Sequence, residues 1–299
     1  MNNNYPEKDY FNIRLLDILI SFRKLYLKIL LVTSIGAIIT VLFSLSIPEK
    51  YVSQAISVKA EESQPTINQS TGNLLGILGS QTISRSVDKT ITILNSRSFF
   101  RNFYENDKFL FELMAVLSFN IHNKKYNINE RLYDLKENKW IQKPTFEESY
   151  EVFHDVFSVS SDMVTNEIYT ITKHPNPMVA LEWNKDILAK INQITKDKQI
   201  KKSQSAIDYY KIQLLKESSV SVRSVLMSSM ATELQTIATS NSTDEYSLEV
   251  IDPPFLPERS SEPNNAVISI LGSILSFVIA CLFFITRDLY RLSNNKLNQ

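Results

Sequence analysis

Two long uncharged apolar segments lie near opposite ends of the chain, and they constrain its fold more than any other feature. Residues 29–47 read ILLVTSIGAIITVLFSLSI, and residues 266–286 read AVISILGSILSFVIACLFFIT. At about 1.5 Å of rise per residue, each segment forms a helix of roughly 28–32 Å, which matches a hydrocarbon core of about 30 Å. The sequence therefore predicts two transmembrane helices that flank one large domain, residues 48–265.

Basic residues at the outer ends of the two segments predict the orientation of the chain, because cations close to a span favour the cytoplasmic side. The N-terminal segment, residues 1–28, and the tail, residues 287–299, are expected in the cytoplasm, and the main domain in the periplasm of a bacterial inner membrane. The alternative is a cleaved secretory signal ending near Ser46, but the apolar stretch of 19 residues exceeds the roughly 7–15 of such signals. The basic residues are Arg14, Arg23, Lys24 and Lys28 before the first span, and Arg287, Arg291 and Lys296 after the second.

Composition argues against several classes of function. The 32 basic and 32 acidic residues cancel, so charge gives no bias toward nucleic acid. The single cysteine, Cys281, lies inside the second apolar segment, so the main domain has no disulfide, which is typical of a bacterial envelope protein. The two cytoplasmic segments are expected to be too short for a kinase or another catalytic domain. The activity of the protein is therefore expected in the membrane or on its outer side.

Hydrophobic periodicity predicts that the main domain mixes helices and strands. Alternation over residues 51–58 and 246–251 predicts strands, and residues 156–172 predict a hairpin. Residues 86–104 place apolar groups every three or four positions, which is typical of an amphipathic helix. Residues 60–85 are polar and are predicted to form a mobile loop. The glycines in that loop are Gly72, Gly76 and Gly79.

The longest feature is a stretch from Met178 to Asp252 that contains neither glycine nor proline. Its apolar residues keep helical spacing over residues 178–240, and one continuous helix of that length would extend about 95 Å. The alternative is two helices packed back to back, with a break near Ser203 or at Ser218-Ser219, where helix propensity is weak. We favour the single long helix. The predicted fold class is α+β, with a small mixed sheet as the base and a long extended helix.

A proline-rich segment, residues 252–263, separates this domain from the second span. Each proline fixes its own φ angle and removes one backbone donor, so the segment is expected to be stiff and extended. One proline is enough to stop a helix, and four favour a spacer that sets how the domain meets the membrane. The prolines are Pro253, Pro254, Pro257 and Pro263.

Small residues recur at four-residue spacing in both apolar segments. In lipid, helices associate through the close approach of small residues rather than through the hydrophobic effect. We expect the two stripes to face each other or a partner polymerase in the membrane. The stripes are Gly36, Thr40 and Ser44 in the first segment and Gly272, Ser276 and Ala280 in the second.

The order of these features resembles that of the Wzz-type polysaccharide co-polymerases, the O-antigen chain-length determinants. The shared plan is a first span, a Tyr-Val-Ser strand at residues 51–53, an α/β base, a very long helix, a returning strand, a proline-rich stretch and a second span. Pro254, Pro257 and Pro263 match the prolines of the family motif, whereas Glu262 and Asn264 stand where serine and lysine are usual. In place of the family's glycine run in the second span, this chain has the small residues Ser276 and Ala280.

The resemblance implies a non-catalytic inner-membrane scaffold, a homo-oligomer that regulates the chain length of a surface polysaccharide such as lipopolysaccharide O-antigen. It also implies three partners besides other copies of the chain: a membrane polysaccharide polymerase, an undecaprenyl-linked glycan and the lipid bilayer. The alternative is a two-span oligomeric channel or transporter accessory protein. A channel is expected to carry polar or charged pore-lining residues, and these spans offer only serine, threonine and glycine.

Sequence patterns that would indicate catalysis are missing from the full sequence. His122, His154 and His174 are isolated, without the paired spacing of metal ligands. No glycine-rich loop is followed by the Lys-Ser/Thr of a phosphate-binding motif. We therefore expect no catalytic residues, no cofactor and no metal.

Overall fold

The computed structural model describes residues 15–60, 89–162 and 164–297. The loop predicted over residues 60–85 lies, beyond Ala60, outside these described residues. The helices are α1 (Leu15–Ser46), α2 (Arg97–Tyr104), α3 (Asp107–Met114), α4 (Phe146–Val156), α5 (Pro177–Lys216), α6 (Val220–Ser242) and α7 (Asn265–Leu297). The strands are β1 (Tyr51–Lys59), β2 (Val116–Asn120), β3 (Lys125–Ile128), β4 (Tyr133–Asp134), β5 (Lys139–Trp140), β6 (Phe157–Ser161), β7 (Ile168–His174) and β8 (Leu248–Asp252).

The chain divides into two compact units. The first, which we call the helix pair, contains α1 and α7. The second, which we call the sheet domain, is Glu49–Ser261 and contains all the strands together with the remaining helices. The α+β fold class predicted from periodicity is therefore confirmed, as is a long helix that flanks the sheet.

A four-stranded sheet with the order β6-β7-β1-β8 forms the base of the sheet domain. Each of its pairings is antiparallel, so the predicted mixed sheet is corrected to an antiparallel one. The longest pairing runs from Tyr51 opposite His174 to Ser57 opposite Ile168. β1 buries every second residue, which is the alternation expected of a strand with one face on the core.

An aromatic cluster fills the core between this sheet and the shorter helices. Phe100 and Phe153 are 0% and 1% exposed, and their ring centroids lie 5.0 Å apart. Phe103 and Phe109 are packed the same way, and Phe109 also contacts Trp183 of α5 with centroids 4.6 Å apart. Truncating one such ring to alanine typically costs about 3–5 kcal/mol. The core therefore fixes α5 to the base of the domain.

Cap residues define where the shorter helices begin. The Thr145 side chain accepts from the Glu148 backbone N–H, and the Glu148 carboxylate accepts from the Thr145 backbone N–H, which is a complete capping box for α4. Ser96 caps α2 through the Phe99 N–H. As a result, the single helix predicted over residues 86–104 is interrupted: residues 89–94 are helical, and α2 begins anew at Arg97.

The helix predicted over residues 178–240 is corrected to two helices that fold back on each other. α5 has 40 residues, or about 60 Å at 1.5 Å per residue, and α6 has 23 residues. The Arg223 guanidinium of α6 donates to the carbonyls of Leu214 and Glu217 near the end of α5. At the other end, the Lys196 ammonium donates to the Thr243 carbonyl at 2.9 Å. These contacts make α5 and α6 an antiparallel helical hairpin, which was the alternative interpretation of the sequence.

Two short hairpins occupy residues 116–140, and the polar pattern of residues 120–143 does not predict them. β2 pairs with β3, and β4 pairs with β5. A second small core supports them, built from Ala115, Ile128 and Tyr133 with Phe111 and Trp140 packed against it. The edge-on contact between Tyr133 and Trp140, with centroids 5.0 Å apart, joins the two strands of the second hairpin.

In the helix pair, α1 and α7 pack against each other in antiparallel orientation, since higher residue numbers in α1 meet lower numbers in α7. The apolar windows are Leu25–Ser46 and Asn265–Asp288, of 22 and 24 residues. Within the described part of the chain, these two helices are long and apolar enough to cross a bilayer. They are consistent with a two-span membrane protein. α1 is helical without interruption from Leu15, so its helix begins well before the predicted span.

Candidate functional site

The small residues singled out in the two apolar segments lie at the interface between α1 and α7. Gly36 faces Ser276: a Cβ atom placed on Gly36 would lie 2.6 Å from the Ser276 Cβ. Gly272 faces Thr40 in the same way, with 2.7 Å between its added Cβ and the Thr40 Cβ. Real Cβ atoms do not approach this closely, so both positions require glycine at this helix separation.

The same interface continues at both ends through contacts that the small-residue pattern only partly indicated. Ser44 is 1% exposed and its hydroxyl donates to Asn265 Oδ1 at 2.7 Å. Toward the other end, Ala280 and Ile29 are 2% and 1% exposed. The four-residue spacing of small residues predicts Ser44 and Ala280 at this interface. It does not predict Asn265, which precedes the apolar segment, or Ile29, because large aliphatic residues are common in spans.

The prolines of the proline-rich segment have separate surroundings. Pro254 and Pro257 are buried in the sheet domain, Pro253 is exposed, and Pro263 belongs to the helix pair. Between them, the Phe255 carbonyl accepts from the Ser53 hydroxyl at 2.9 Å. The segment therefore runs along the start of β1.

The two chain ends of the sheet domain are joined directly. The Ser261 backbone N–H donates to the Lys50 carbonyl at 2.9 Å. Lys50 immediately precedes β1, and Ser261 is the last residue of the domain. The two ends of the sheet domain therefore lie next to each other.

A groove of about 760 Å³ separates α5 from the returning chain. Leu188, Val250 and Pro254 supply apolar surface, and Lys196 and Asp244 stand among the charged residues at its edge. Lys196 is already bonded to the Thr243 carbonyl and lies 3.8 Å from the Asp244 carboxylate. The groove offers apolar contact with paired charges around it, and its lining has no nucleophile next to a base.

A buried polar cluster connects α3, β7 and α5. Trp183 Nε1 donates to the Glu112 carboxylate at 3.1 Å, and burial raises the pKa of that carboxyl above its ordinary value. The Asn176 backbone N–H donates to His174 Nδ1 at 2.9 Å, which leaves Nε2 to donate to the Glu112 carbonyl at 3.1 Å. Burial lowers the pKa of His174 to about 4. His174 is therefore a neutral structural histidine at neutral pH.

The helical hairpin leaves much of its apolar surface exposed. Among the residues of α6, Ser240 is buried, whereas Val220, Met227 and Leu234 are 83%, 50% and 51% exposed. These three residues follow one another at intervals of seven, so they share one face of the helix. Leu215 at the end of α5 is 89% exposed. The sequence had indicated the helical spacing but not which apolar residues remain on the outside.

Comparison with solved structures finds polysaccharide co-polymerases among the matches, at low similarity. No family model matches the sequence, and no curated protein matches it. A solved structure described as a full-length bacterial polysaccharide co-polymerase aligns at a TM-score of 0.40 and 13% identity, over 94% of this chain and 99% of that one. A fragment of WzzB, a polysaccharide co-polymerase from Salmonella Typhimurium, aligns at a TM-score of 0.25 and 10% identity, over 72% of this chain and 100% of the fragment. At similarities this low, neither structure assigns a family or an activity to this chain.

Proposed function

We propose that this chain is a non-catalytic scaffold of the bacterial inner membrane that assembles with copies of itself and regulates the chain length of a surface polysaccharide such as O-antigen. In this proposal both termini are cytoplasmic and the sheet domain is periplasmic. The partners are a membrane polysaccharide polymerase and an undecaprenyl-linked glycan. The order of elements along the chain, which resembles that of the chain-length determinants, supports this function.

The observation that carries the proposal is the exposed apolar face of α6, formed by Val220, Met227 and Leu234. Apolar residues at intervals of seven are the usual signature of a helix that packs lengthwise against another helix. α5 already covers another face of α6. The exposed face is therefore available to a neighbouring copy of the chain.

Energetics support the same conclusion. A helix with little buried surface is weakly stabilised in water, because most helical stability in proteins comes from packing of an apolar face rather than from propensity. Burying one large aliphatic side chain contributes about 1.5–3 kcal/mol. Covering the three exposed residues on each copy would supply the stabilisation that α6 lacks in a single chain.

The small residues of the apolar segments are already used in contacts within one chain, between α1 and α7. Gly36 with Ser276, and Gly272 with Thr40, are pairs within one chain. The small residues are thus occupied in forming the helix pair. We therefore propose that copies of the chain associate through the helical hairpin.

The variant Met227→Glu/Leu234→Glu tests the assembly. Two carboxylates on the exposed face would remain solvated in a single chain but would be desolvated between copies, which is strongly unfavourable. The matched control, Ser228→Glu/Gln235→Glu, adds the same charges one residue further along the same helix, at positions that are also exposed. We expect the first variant to lose the oligomer measured by chemical cross-linking and light scattering in detergent, and the control to keep it.

Regulation of glycan length is tested separately, with gels of surface polysaccharide. A strain that lacks this gene should show an altered distribution of chain lengths, and the control variant should restore the original distribution while Met227→Glu/Leu234→Glu should not. An unchanged distribution in the deletion strain would refute the function. A restored distribution with a monomeric variant would refute the link between assembly and length.

A further inference from the structure

The tip of the β2–β3 hairpin, residues 121–125, combines an exposed aliphatic side chain with two adjacent lysines. Ile121 is 48% exposed, and Leu117, four residues earlier, is 49% exposed. Lys124 and Lys125 are exposed as well. In the described residues neither lysine forms an ion pair, and the tip itself contains no acidic residue. A surface that is both apolar and uniformly basic has the chemistry of a membrane-binding element.

Side-chain hydrogen bonds fix the shape of this tip. Asn120 Oδ1 accepts from the backbone N–H groups of His122 and Asn123, at 3.0 and 3.2 Å. Asn123 Oδ1 in turn accepts from the Lys125 backbone N–H at 3.0 Å. Lys124 has a φ of 53°, the left-handed conformation common in tight turns. The tip is thus ordered with Ile121 outside the core, so little entropy is lost when it binds a surface.

The hairpin is attached to the end of the sheet from which the chain connects to both apolar helices. The Asn176 side-chain amide donates to the Tyr126 hydroxyl at 2.7 Å. Two residues before Asn176, His174 pairs with Tyr51, the first residue of β1. The Lys50–Ser261 hydrogen bond lies beside it, and the chain continues from there to α1 and to α7. This end of the sheet is covalently tethered to the membrane-spanning part of the chain.

We propose that the hairpin tip binds the surface of the membrane, with Ile121 in the headgroup region and Lys124 and Lys125 against anionic lipid headgroups. A lysine near an anionic bilayer contributes about 1 kcal/mol, which is about a fivefold gain in binding. The site would orient the sheet domain on the membrane. The inference depends on anchoring in a bilayer and is independent of any role in glycan length.

The test uses the full-length protein with Cys281→Ser and a fluorescent probe that reports polarity, attached at Ile121→Cys. The protein is reconstituted in vesicles of phosphatidylcholine with or without phosphatidylglycerol, and quenchers are attached to the lipid. The matched control carries the probe at Val164→Cys, in the β6–β7 turn, which is 90% exposed. That turn adjoins the opposite end of the sheet, where Ile168 pairs with Ser57. We expect a blue shift and lipid quenching at 121 with phosphatidylglycerol, and neither at 164.

Lysine variants then test the electrostatic part. Lys124→Gln/Lys125→Gln should reduce the partition of the probe into lipid by about 25-fold, from two losses of about fivefold. The control Lys201→Gln/Lys202→Gln removes another adjacent, exposed pair, on α5, and should change nothing. The proposal is overturned if the probe at 121 stays in water, or if it is equally quenched without phosphatidylglycerol. It is also overturned if the probe is shielded from water but not quenched by lipid, since another copy of the chain would then cover the tip.

Discussion

Individual polar side chains fix α5 onto the sheet. The Asn184 amide donates to the carbonyls of Ser53 and Thr170, at 2.9 and 3.0 Å. Asn192 donates to the Leu248 carbonyl at 2.9 Å and accepts from the backbone N–H groups of Ser247 and Leu248. Leaving a buried group without its partner costs about 1–3 kcal/mol. The two asparagines therefore set the register of α5 against three strands, β1, β7 and β8, which apolar contacts alone would leave less defined.

His174 gives a pH dependence that can be measured at the scale of one residue. Its pKa is about 4 in the folded chain against an ordinary value of 6.5, so the unfolded chain binds a proton that the folded chain excludes. The contribution of His174 to the free energy of unfolding is fully present above pH 6.5. It is lost as the pH drops toward 4, by up to about 3 kcal/mol. Glu112, whose pKa burial raises, acts in the opposite sense in acid. Comparison with His174→Gln isolates the histidine contribution.

We expect His174→Gln to flatten the dependence of the unfolding free energy on pH between 7 and 4.5, as measured by urea titration with tryptophan fluorescence. His122→Gln replaces an exposed histidine and is the control. An equal pH dependence in the wild-type chain and in His174→Gln would contradict the assignment.

Gly272 tests the packing of the helix pair. A methyl group at Gly272 would lie 2.7 Å from the Thr40 Cβ, and overpacking of this kind typically costs about 1–3 kcal/mol. Gly272→Ala should therefore lower the thermal denaturation midpoint in detergent. Adding Thr40→Gly moves the glycine to the other helix and should recover much of the loss. Ile274→Ala, at a position 55% exposed, should have little effect on the same midpoint. A double variant no more stable than Gly272→Ala would argue against direct contact.

The turn of the helical hairpin shows how a single element can be misjudged from periodicity. The turn consists of Glu217, Ser218 and Ser219, so it has neither glycine nor proline. The apolar spacing continues on both sides of it. The Glu217 carboxylate accepts from the Ser219 backbone N–H at 2.8 Å, and Arg223 reaches back to the carbonyls that end α5. Such local hydrogen bonds compete with helix continuation. The sequence indicated a weak point at the serines, but the reversal depends on contacts that spacing does not encode.

Arg223→Ala should loosen this turn without unfolding the base of the domain. The guanidinium bonds to the Leu214 and Glu217 carbonyls would be lost, and bonds to a charged group contribute about 1.5–3 kcal/mol before solvent exposure reduces them. We expect hydrogen exchange of the amides in residues 214–223 to accelerate by about tenfold, or about 1.4 kcal/mol, while β1 amides stay unchanged. Arg259→Ala, on the exposed proline-rich segment, is the control. Equal exchange in both variants would show that Arg223 does not hold the turn.

At the scale of the whole molecule, the predicted topology is open to direct measurement. In a Cys281→Ser background, Val164→Cys should react with a membrane-impermeant maleimide added to spheroplasts, because residue 164 is 90% exposed and proposed to be periplasmic. Tyr290→Cys, 69% exposed beyond the second span, should react only after the membrane is permeabilised. Labelling of both sites from the same side would refute the proposed orientation.

Much of the architecture follows from the sequence because it depends on composition and period. The apolar segments, the strand at residues 51–58 and the α+β class require only length, alternation and spacing. Predicting the contact of Gly36 with Ser276 requires the relative rotation of two helices. Predicting the hydrogen bond of His174 with Glu112 requires a contact between residues 62 positions apart in the chain. The exposed face of α6 also escaped sequence analysis, since buried and exposed apolar residues on a helix share the same spacing.

The hydrogen bond between Lys50 and Ser261 has a practical consequence for protein engineering. A module whose entry and exit coincide can be treated as a cassette inserted into another polypeptide. Deleting residues 51–260 and closing the gap with a short glycine-serine connector should leave α1 and α7 able to form the helix pair. The excised cassette could be ligated head to tail into a circle, or transplanted between the spans of an unrelated protein.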